Sequence, residues 1–308
     1  MYIITGPTAS GKTAVALALA KQIGGEIINA DSMQIYKGMD IGTAKPTPAE
    51  QAAVPHHLID IIYPNEPYSA ALYQQQANKA IQEIQRRGNV PILTGGTGFY
   101  INTIAYNPQF APTTPDDTPL RNHYTTLATQ NPPTYLHDLL KQIDPTAATQ
   151  IHPNNTKRLA RALAYCKTTQ TLFSTHNTTQ NQKKTTPPQK ITLIILDMPR
   201  EILYNRINQR TNQMLKNGLI EEVKSLLNAG YPPTLPALQS IGYKETVTWL
   251  QNNGDASPAA GIAQATRNYA KRQLTWLRNK TPHARWLELS SNANPQEIAT
   301  YIRKEFPQ

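Results

Sequence analysis

The sequence predicts an α/β protein whose core is a parallel sheet with helices on both faces, plus a helical insertion domain. Short apolar stretches alternate with helical patterns over the first hundred residues, which is typical of strand–helix–strand units. The length of 308 residues suits one such core carrying a smaller insertion. Residues 1–119 and 186–308 are predicted to form the core with its C-terminal helices, and residues 120–185 the insertion.

The elements of the core follow from local patterns. Strands are predicted at residues 1–5, 26–30, 90–94 and 191–196, because each is a short apolar run. Ser69 is a candidate cap for a helix that Gly88 would end. Helices are predicted from just after residue 13 to about residue 23, and at residues 69–87, 200–216, 219–228, 240–250 and 261–279.

The pattern changes between residues 120 and 185, where helices are predicted without strands. Pro112, Pro115 and Pro119 precede this segment, and the polar, proline-containing stretch 177–189 follows it. Both stretches are interpreted as linkers, because they contain turn formers and few core-forming residues.

Positive charge is unevenly distributed along the chain. The formal net charge is +10, and residues 120–190 carry 9 basic side chains against 2 acidic ones, whereas residues 1–119 carry 7 against 9. Such an asymmetry is typical of proteins that bind a polyanion, most often a nucleic acid. On charge alone, a soluble surface rich in Lys and Arg is the alternative.

Composition argues against several classes of protein. No apolar run approaches the ~20 residues of a membrane-spanning helix, and no secretory signal is visible. The single cysteine, Cys166, excludes an intramolecular disulfide and a multi-cysteine zinc site. We therefore expect a cytoplasmic protein that does not contact membranes.

Residues 6–13 match the phosphate-binding motif G-x-x-x-x-G-K-[ST] between a predicted strand and a predicted helix, which is the context the motif requires. Glycines let backbone N–H groups surround a phosphate chain, and the helix N-terminus adds partial positive charge. Lys12 is predicted to reach the terminal phosphates, and the Thr13 hydroxyl to ligate Mg²⁺. The motif predicts a P-loop NTPase-like core that binds a diphosphate or triphosphate, on a nucleotide such as ATP or on another group. Its residues are Gly6, Pro7, Thr8, Ala9, Ser10, Gly11, Lys12 and Thr13.

Two polar residues follow predicted strands. Asp31 comes after the strand at 26–30, and Thr97 after Gly95 and Gly96. Ligands of doubly wound sheets bind at the carboxyl ends of the strands, so both residues are expected beside the phosphate loop. A carboxylate there can take a proton from an acceptor substrate, although a helix cap or loop carboxylate is the alternative. Thr97 is either a donor to the reacting groups or an ordinary turn hydroxyl.

Arginines at two further places are candidates for binding an anionic ligand. Arg210 lies on the apolar stripe of the helix at 200–216, where its charge needs a diphosphate or a core carboxylate as partner. In the insertion, Arg158 and Arg161 share a helix face with Tyr165. That combination suits an RNA backbone with an unstacked base, and a solvated surface is the alternative.

Five sequence blocks resemble those of the tRNA dimethylallyltransferases, in the same order. They are residues 31–46 (DSMQIYKGMDIGTAKP), 95–100 (GGTGFY), 154–163 (NNTKRLARAL), 241–245 (IGYKE) and 270–276 (AKRQLTW). The resemblance implies that a dimethylallyl group moves from dimethylallyl diphosphate to N6 of adenosine-37, next to the anticodon of tRNA, and that diphosphate is released.

The resemblance also implies roles for individual residues. The phosphate loop and Arg210 would hold the diphosphate with Mg²⁺, Asp31 would orient the adenine amine and take its proton, and Thr97 would assist. The chain would act as a monomer on the anticodon stem-loop. Contacts with tRNA are implied for Asp31, Ser32, Met33, Gln34, Arg121, Lys157, Arg158, Leu159, Ala160, Arg161, Gln239, Ser240, Ile241, Gly242, Tyr243 and Lys244.

Three alternatives share part of this pattern. A P-loop small-molecule kinase would use the phosphate loop, but it would not explain the basic insertion or the block at 31–46. A prenyltransferase for free adenine nucleotides would not need the insertion. A nucleotide-switched RNA-binding protein would bind without catalysis, so retention of tRNA binding with loss of transfer in Asp31→Ala would argue against it.

Overall fold

A computed structural model describes residues 1–108, 117–175, 191–252, 254 and 256–307. The chain divides into two compact units, Met1–Asn107 with Pro187–Gln308, and Pro108–Thr186. The expected linkers around Pro112 and Pro115 and at 177–189 lie outside the described residues. Pro119 instead lies in the first turn of a helix, where proline is tolerated because the missing N–H would have no helical partner.

A six-stranded parallel sheet forms the centre of the first unit. Its strands are β1 (Tyr2–Thr5), β2 (Gly25–Asn29), β3 (His56–His57), β4 (Val90–Gly95), β5 (Thr192–Asp197) and β6 (Arg285–Glu288), in the order β3-β2-β4-β1-β5-β6. All neighbouring strands run parallel, which confirms the predicted fold class. The two edge strands were missed, because β3 has two residues and β6 is largely exposed.

Helices cover both faces of the sheet. Among the described residues, the helices of the two units with defined bounds are, in chain order, α1 (Lys12–Ile23), α2 (Pro48–Ala53), α3 (Ala70–Arg86), α4 (Gly98–Ala105), α5 (Thr118–Gln130), α6 (Tyr135–Ile143), α7 (Pro145–Gln150), α8 (Thr156–Thr169), α9 (Arg200–Lys216), α10 (Leu219–Asn228), α11 (Tyr243–Gln251), α12 (Ala259–Lys280) and α13 (Pro295–Glu305), of which α5 to α8 belong to the second unit. Ile4 and Ile92 of the strands lie in one buried cluster with residues of α1, α9 and α13. Their neighbours Ile3 and Leu93 lie in a second cluster with α3 and α4. Side chains of adjacent strand residues point to opposite faces, so one sheet supports both layers.

The segment 31–46 is a long loop with its own buried support. Ile35 and Met39 pack against residues of α10 and α11. The Lys45 ammonium is buried and lies 2.5 Å from both the Asp40 and the Asp60 carboxylates. The Glu222 carboxylate accepts hydrogen bonds from the backbone N–H groups of Asp40, Ile41 and Gly42. These bonds satisfy loop polar groups that would otherwise be costly to bury.

The second unit consists of helices over its described residues, 117–175. Leu136 and Leu140 of α6 pack against Leu159 and Leu163 of α8 in one apolar cluster. Asp144 caps α7 by accepting from the Ala147 N–H at 2.9 Å. The prediction of helices without strands is confirmed for this part of the chain. No helix among the described residues is long and apolar enough to cross a membrane.

Candidate active site

The phosphate loop connects β1 to α1, as predicted. Gly11 adopts a φ of +87° at the start of α1, and no side chain caps the helix N-terminus. The first N–H groups of α1 are therefore available to an anion. A side chain at Gly6 would overlap the Leu196 carbonyl oxygen, so only glycine fits at that turn. The Lys12 Nζ donates to the Pro7 carbonyl at 3.2 Å, which holds the side chain over the loop.

Lys12, Arg210 and Asp31 form one electrostatic cluster. Burial and the charge of Arg210 lower the pKa of Lys12 to about 8, while Asp31 opposes the shift. Burial also lowers the pKa of Arg210, and Asp31 again opposes it. Among the described residues, no carboxylate lies within 4.0 Å of the Arg210 guanidinium. Two cations held together without a directly paired anion are suited to binding a multiply charged ligand.

The Asp31 carboxylate is oriented by a local turn. Its Oδ1 accepts from the Met33 N–H at 2.9 Å, and its own N–H donates to Asn29 Oδ1 at 2.9 Å. Asn29 is 2% exposed, and its side-chain amide also donates to the Leu58 carbonyl. One oxygen of Asp31 is therefore fixed, and the second lacks a hydrogen-bond partner in the described part of the chain. That oxygen is free to accept a proton or a hydrogen bond from a substrate.

Three cavities meet at this cluster. A small one of about 60 Å³ is lined by Lys12, Thr13, Asp31 and Arg210. A second, of about 320 Å³, has Asp31, Ser32, Met33, Arg210, Gln239, Ser240, Ile241 and Gly242 in its wall. A third, of about 730 Å³, borders Gly11, Lys12, Thr13, Arg206 and Arg210. Arg210 thus lies between a cavity next to the phosphate loop and a cavity next to Asp31.

Thr97 supports the loop that carries Asp31. Its Oγ1 accepts from the Ser32 N–H at 2.9 Å and donates to Ser32 Oγ at 3.1 Å. Its own N–H donates to the Ala30 carbonyl at 3.0 Å. The hydroxyl is therefore engaged with the residue that follows Asp31, so any assistance to the reaction would pass through this loop.

Gln273 and Tyr269 of α12 also belong to the site, although no role was predicted for either residue from the sequence. Gln273 is 7% exposed and hydrogen-bonds both to the phosphate loop and to the loop before Thr97. Tyr269 lines the two cavities next to Asp31, and burial together with the Asp31 charge raises its pKa. Both residues lie within a helix whose neighbouring positions are basic, so the pattern indicated a surface rather than a site.

The residues for which tRNA contacts were expected have different environments. Lys157, Arg158, Arg161, Gln239 and Lys244 are exposed. Leu159 and Ala160 are each 1% exposed, and Tyr243 is fully buried and donates to Glu222 at 2.5 Å. These three side chains have a packing role, so RNA contacts from their positions are restricted to the backbone. Arg121 is paired with the buried Asp117, and the Gln34 amide donates to the Thr43 and Ala44 carbonyls.

A metal at this site would depend on its substrate for ligands. No cluster of three or more His, Cys, Asp or Glu side chains that could hold an ion occurs among the described residues. Thr13 lies in the first turn of α1 and borders the cavities next to the phosphate loop. Mg²⁺ usually combines few protein oxygens with phosphate oxygens and water, and Thr13 with a bound diphosphate fits that pattern.

Comparison with known proteins gives consistent results. Residues 34–280 match the family model described as IPP transferase. A protein of Acetivibrio thermocellus named tRNA dimethylallyltransferase is 45% identical over 98% of this chain and 96% of its own length. The solved tRNA isopentenylpyrophosphate transferase of Bacillus halodurans superposes with a TM-score of 0.70 at 39% identity, covering 99% of this chain and 96% of that one. The crystal structure of a eukaryotic dimethylallyltransferase acting on tRNA superposes with a TM-score of 0.80 at 26% identity, covering 99% of this chain and 76% of that one.

Proposed function

The chain belongs to the IPP transferase family, and on that premise we propose that it transfers a dimethylallyl group from dimethylallyl diphosphate to N6 of adenosine-37 in tRNA and releases diphosphate. The observation that carries the proposal is the placement of Asp31, Lys12 and Arg210 around one cavity. Alkylation of a weakly nucleophilic amine needs an anion-binding group for the leaving diphosphate and a carboxylate for the amine proton. This cluster provides both.

The phosphate loop and Arg210 bind the leaving group. As the allylic C–O bond breaks, negative charge grows on the diphosphate oxygen, and the N–H groups of α1, Lys12 and Arg210 stabilise that charge. A single well-placed donor of this kind typically lowers the barrier by ~3 kcal/mol. Thr13 would hold Mg²⁺, which when bound offsets further charge on the diphosphate.

Asp31 acts on the acceptor. Its second carboxylate oxygen accepts the proton that the exocyclic amine loses as the new C–N bond forms. The Met33 N–H fixes the first oxygen, so the carboxylate does not have to reorient during the reaction. Thr97 holds the following residue, Ser32, and so contributes to the position of Asp31.

The cavity of about 320 Å³ next to Asp31 provides a place for the adenine base. A base inside a stacked anticodon loop cannot present its amine to a buried carboxylate, so the base must be extruded. Asp31, Ser32 and Met33 form one part of the wall and residues 239–242 another. Exposed basic side chains, Lys157, Arg158, Arg161 and Lys244 among them, supply contacts to the RNA backbone.

The test is to incubate unmodified tRNA with the protein, Mg²⁺ and dimethylallyl diphosphate and to analyse the nucleosides by mass spectrometry. We expect one added C₅H₈ unit on an adenosine next to the anticodon. ATP turnover without this product would favour the kinase alternative. Equal activity on free AMP would favour a prenyltransferase for nucleotides, and tRNA binding without any product would favour a binding protein.

A further inference from the structure

Gln273 connects the phosphate loop, which binds the diphosphate, to the loop after β4, which supports Asp31. Its side-chain Oε1 accepts from the Thr8 N–H of the phosphate loop at 2.8 Å. Its Nε2 donates to the carbonyl of Gly96, the first residue after β4, also at 2.8 Å. The side chain is 7% exposed, and the bond from Nε2 is fully buried. One amide therefore links the diphosphate-binding loop to a loop on the acceptor side.

The loop after Gly96 is in turn connected to Asp31. The Thr97 N–H donates to the Ala30 carbonyl, and Thr97 Oγ1 accepts from the Ser32 N–H. The residues immediately before and after Asp31 are thus both bonded to Thr97. A shift of the Gly96 carbonyl would therefore be transmitted to the Asp31 carboxylate over a few bonds.

Close packing leaves Gln273 little freedom to move. A methyl group at Gly96 would overlap its Nε2, and one at Gly95 would overlap the backbone of Ala30. One helical turn further along α12, Trp276 lies so close to Gly98 that a methyl group there would overlap its ring. The helix α12 therefore contacts the chain after β4 at two points, the loop at Gly96 and the first residue of α4, and well-packed contacts of this kind transmit displacement.

We propose, on the basis of the transferase function proposed above, that Gln273 is a positioning residue that sets the separation between the departing diphosphate and the acceptor amine, and that it thereby decides whether the dimethylallyl carbon is captured by RNA or by water. In both outcomes the allylic C–O bond breaks and its electron pair leaves with diphosphate. The carbon then bonds either to N6, whose proton goes to Asp31, or to a water oxygen, whose proton goes to Asp31 or solvent. Misalignment of the amine favours the second outcome, because water needs no alignment.

The experiment measures the ratio of dimethylallyl alcohol to prenylated tRNA under single-turnover conditions. In Gln273→Met the side chain keeps its length but loses both hydrogen bonds. Gly96→Ala keeps Gln273 and displaces its amide from the other side, so it tests the same contact even if the first variant folds poorly. Gln264→Met is the matched control, because Gln264 lies exposed on α12 about two and a half turns away. The ratio does not depend on the fraction of active protein.

We expect the alcohol-to-product ratio to rise at least tenfold in Gln273→Met and in Gly96→Ala, and to stay within twofold of the unaltered protein in Gln264→Met. The dissociation constant for tRNA should change less than threefold in all three. Variants that transfer slowly but keep the original ratio would overturn the positioning role. If the unaltered protein itself forms no prenylated tRNA, the proposed function fails instead.

Discussion

Arg210 and Lys12 share the anion-binding side of the site, and their proximity changes the proton affinity of the lysine. Burial and the neighbouring guanidinium bring the pKa of Lys12 down to about 8, against an ordinary value of 10.5. The negative charge of a bound diphosphate next to the ammonium would oppose both influences and raise the pKa of Lys12. The protonation of Lys12 is therefore coupled to ligand binding.

This coupling predicts proton uptake on binding. At pH 8.5 the free protein carries a largely neutral Lys12, and dimethylallyl diphosphate should raise the pKa of Lys12 so that about half a proton or more is taken up. At pH 6.5 the ammonium is already charged, and the contribution of Lys12 to the uptake should be close to zero. Calorimetric titrations in two buffers with different ionisation enthalpies measure the difference. Lys12→Arg, which stays charged, should abolish the uptake, and an unchanged uptake in that variant would contradict the assignment.

Asp31→Asn should separate catalysis from binding. Asparagine keeps an oxygen that can accept from the Met33 N–H, so the turn is preserved, but it cannot take the proton of the amine. We expect the single-turnover transfer rate to fall by about 10²–10⁴-fold, the range typical of a lost general base. Filter binding should show tRNA affinity within threefold of the original. Asp138→Asn is the charge-matched control, because Asp138 lies exposed in the second unit. If Asp31→Asn lost transfer rate and tRNA affinity to the same extent, Asp31 would be assigned to tRNA recognition instead.

Much of the core was predictable because its helices and strands have strong local patterns. The helices at 200–216 and 219–228 begin and end at the predicted residues, and Ser69 caps its helix by accepting from the Leu72 N–H. The missed α2 and β3 have 6 and 2 residues, too few for a periodic pattern. Strand β6 was missed because three of its four residues are exposed and it lacks an apolar run.

The parts of the candidate site that were predictable are those that a local motif or a position directly after a strand identifies. The phosphate loop and Asp31 follow strands, and a parallel sheet brings such positions to one edge. Gln273 was not predictable, because its contacts with Thr8 and Gly96 span 265 and 177 residues of sequence. Tyr243 was assigned to RNA because its block resembles a family motif, yet the ring is buried and bonded to Glu222. Sequence similarity located the segment, whereas only packing shows which side chains point outward.

Glu26 should make the stability of the fold depend on acid pH. Burial alone would raise the pKa of this carboxyl, but hydrogen bonds from Arg87, Asn89 and His57 outweigh it and lower the pKa to about 2. The stabilisation is therefore complete above pH 4.5, the ordinary value, and is lost as the pH falls towards about 2. Glu26→Gln should lower the free energy of unfolding at pH 7 by on the order of 3 kcal/mol and flatten its decline between pH 4.5 and about 2. Denaturant unfolding at several pH values measures the free energy of unfolding of each variant. Glu83→Gln is the control: Glu83 pairs with the exposed Lys79, so this variant should be as stable as the unaltered protein.

Two glycine-to-alanine substitutions should have opposite effects on stability. A methyl group at Gly95 would overlap the backbone of Ala30, directly before Asp31, whereas one at Gly261 in α12 would meet only Glu245 Cγ at 3.9 Å. Overpacking against backbone typically costs 1–3 kcal/mol, while alanine in an exposed helix gains up to about 1 kcal/mol over glycine. We therefore expect the melting temperature to fall in Gly95→Ala and to stay or rise in Gly261→Ala. Transfer activity per folded molecule should also fall in Gly95→Ala, because Ala30 must move and Asp31 moves with it. If Gly95→Ala melts and reacts like Gly261→Ala, the close approach of β4 to the Asp31 loop does not exist in solution.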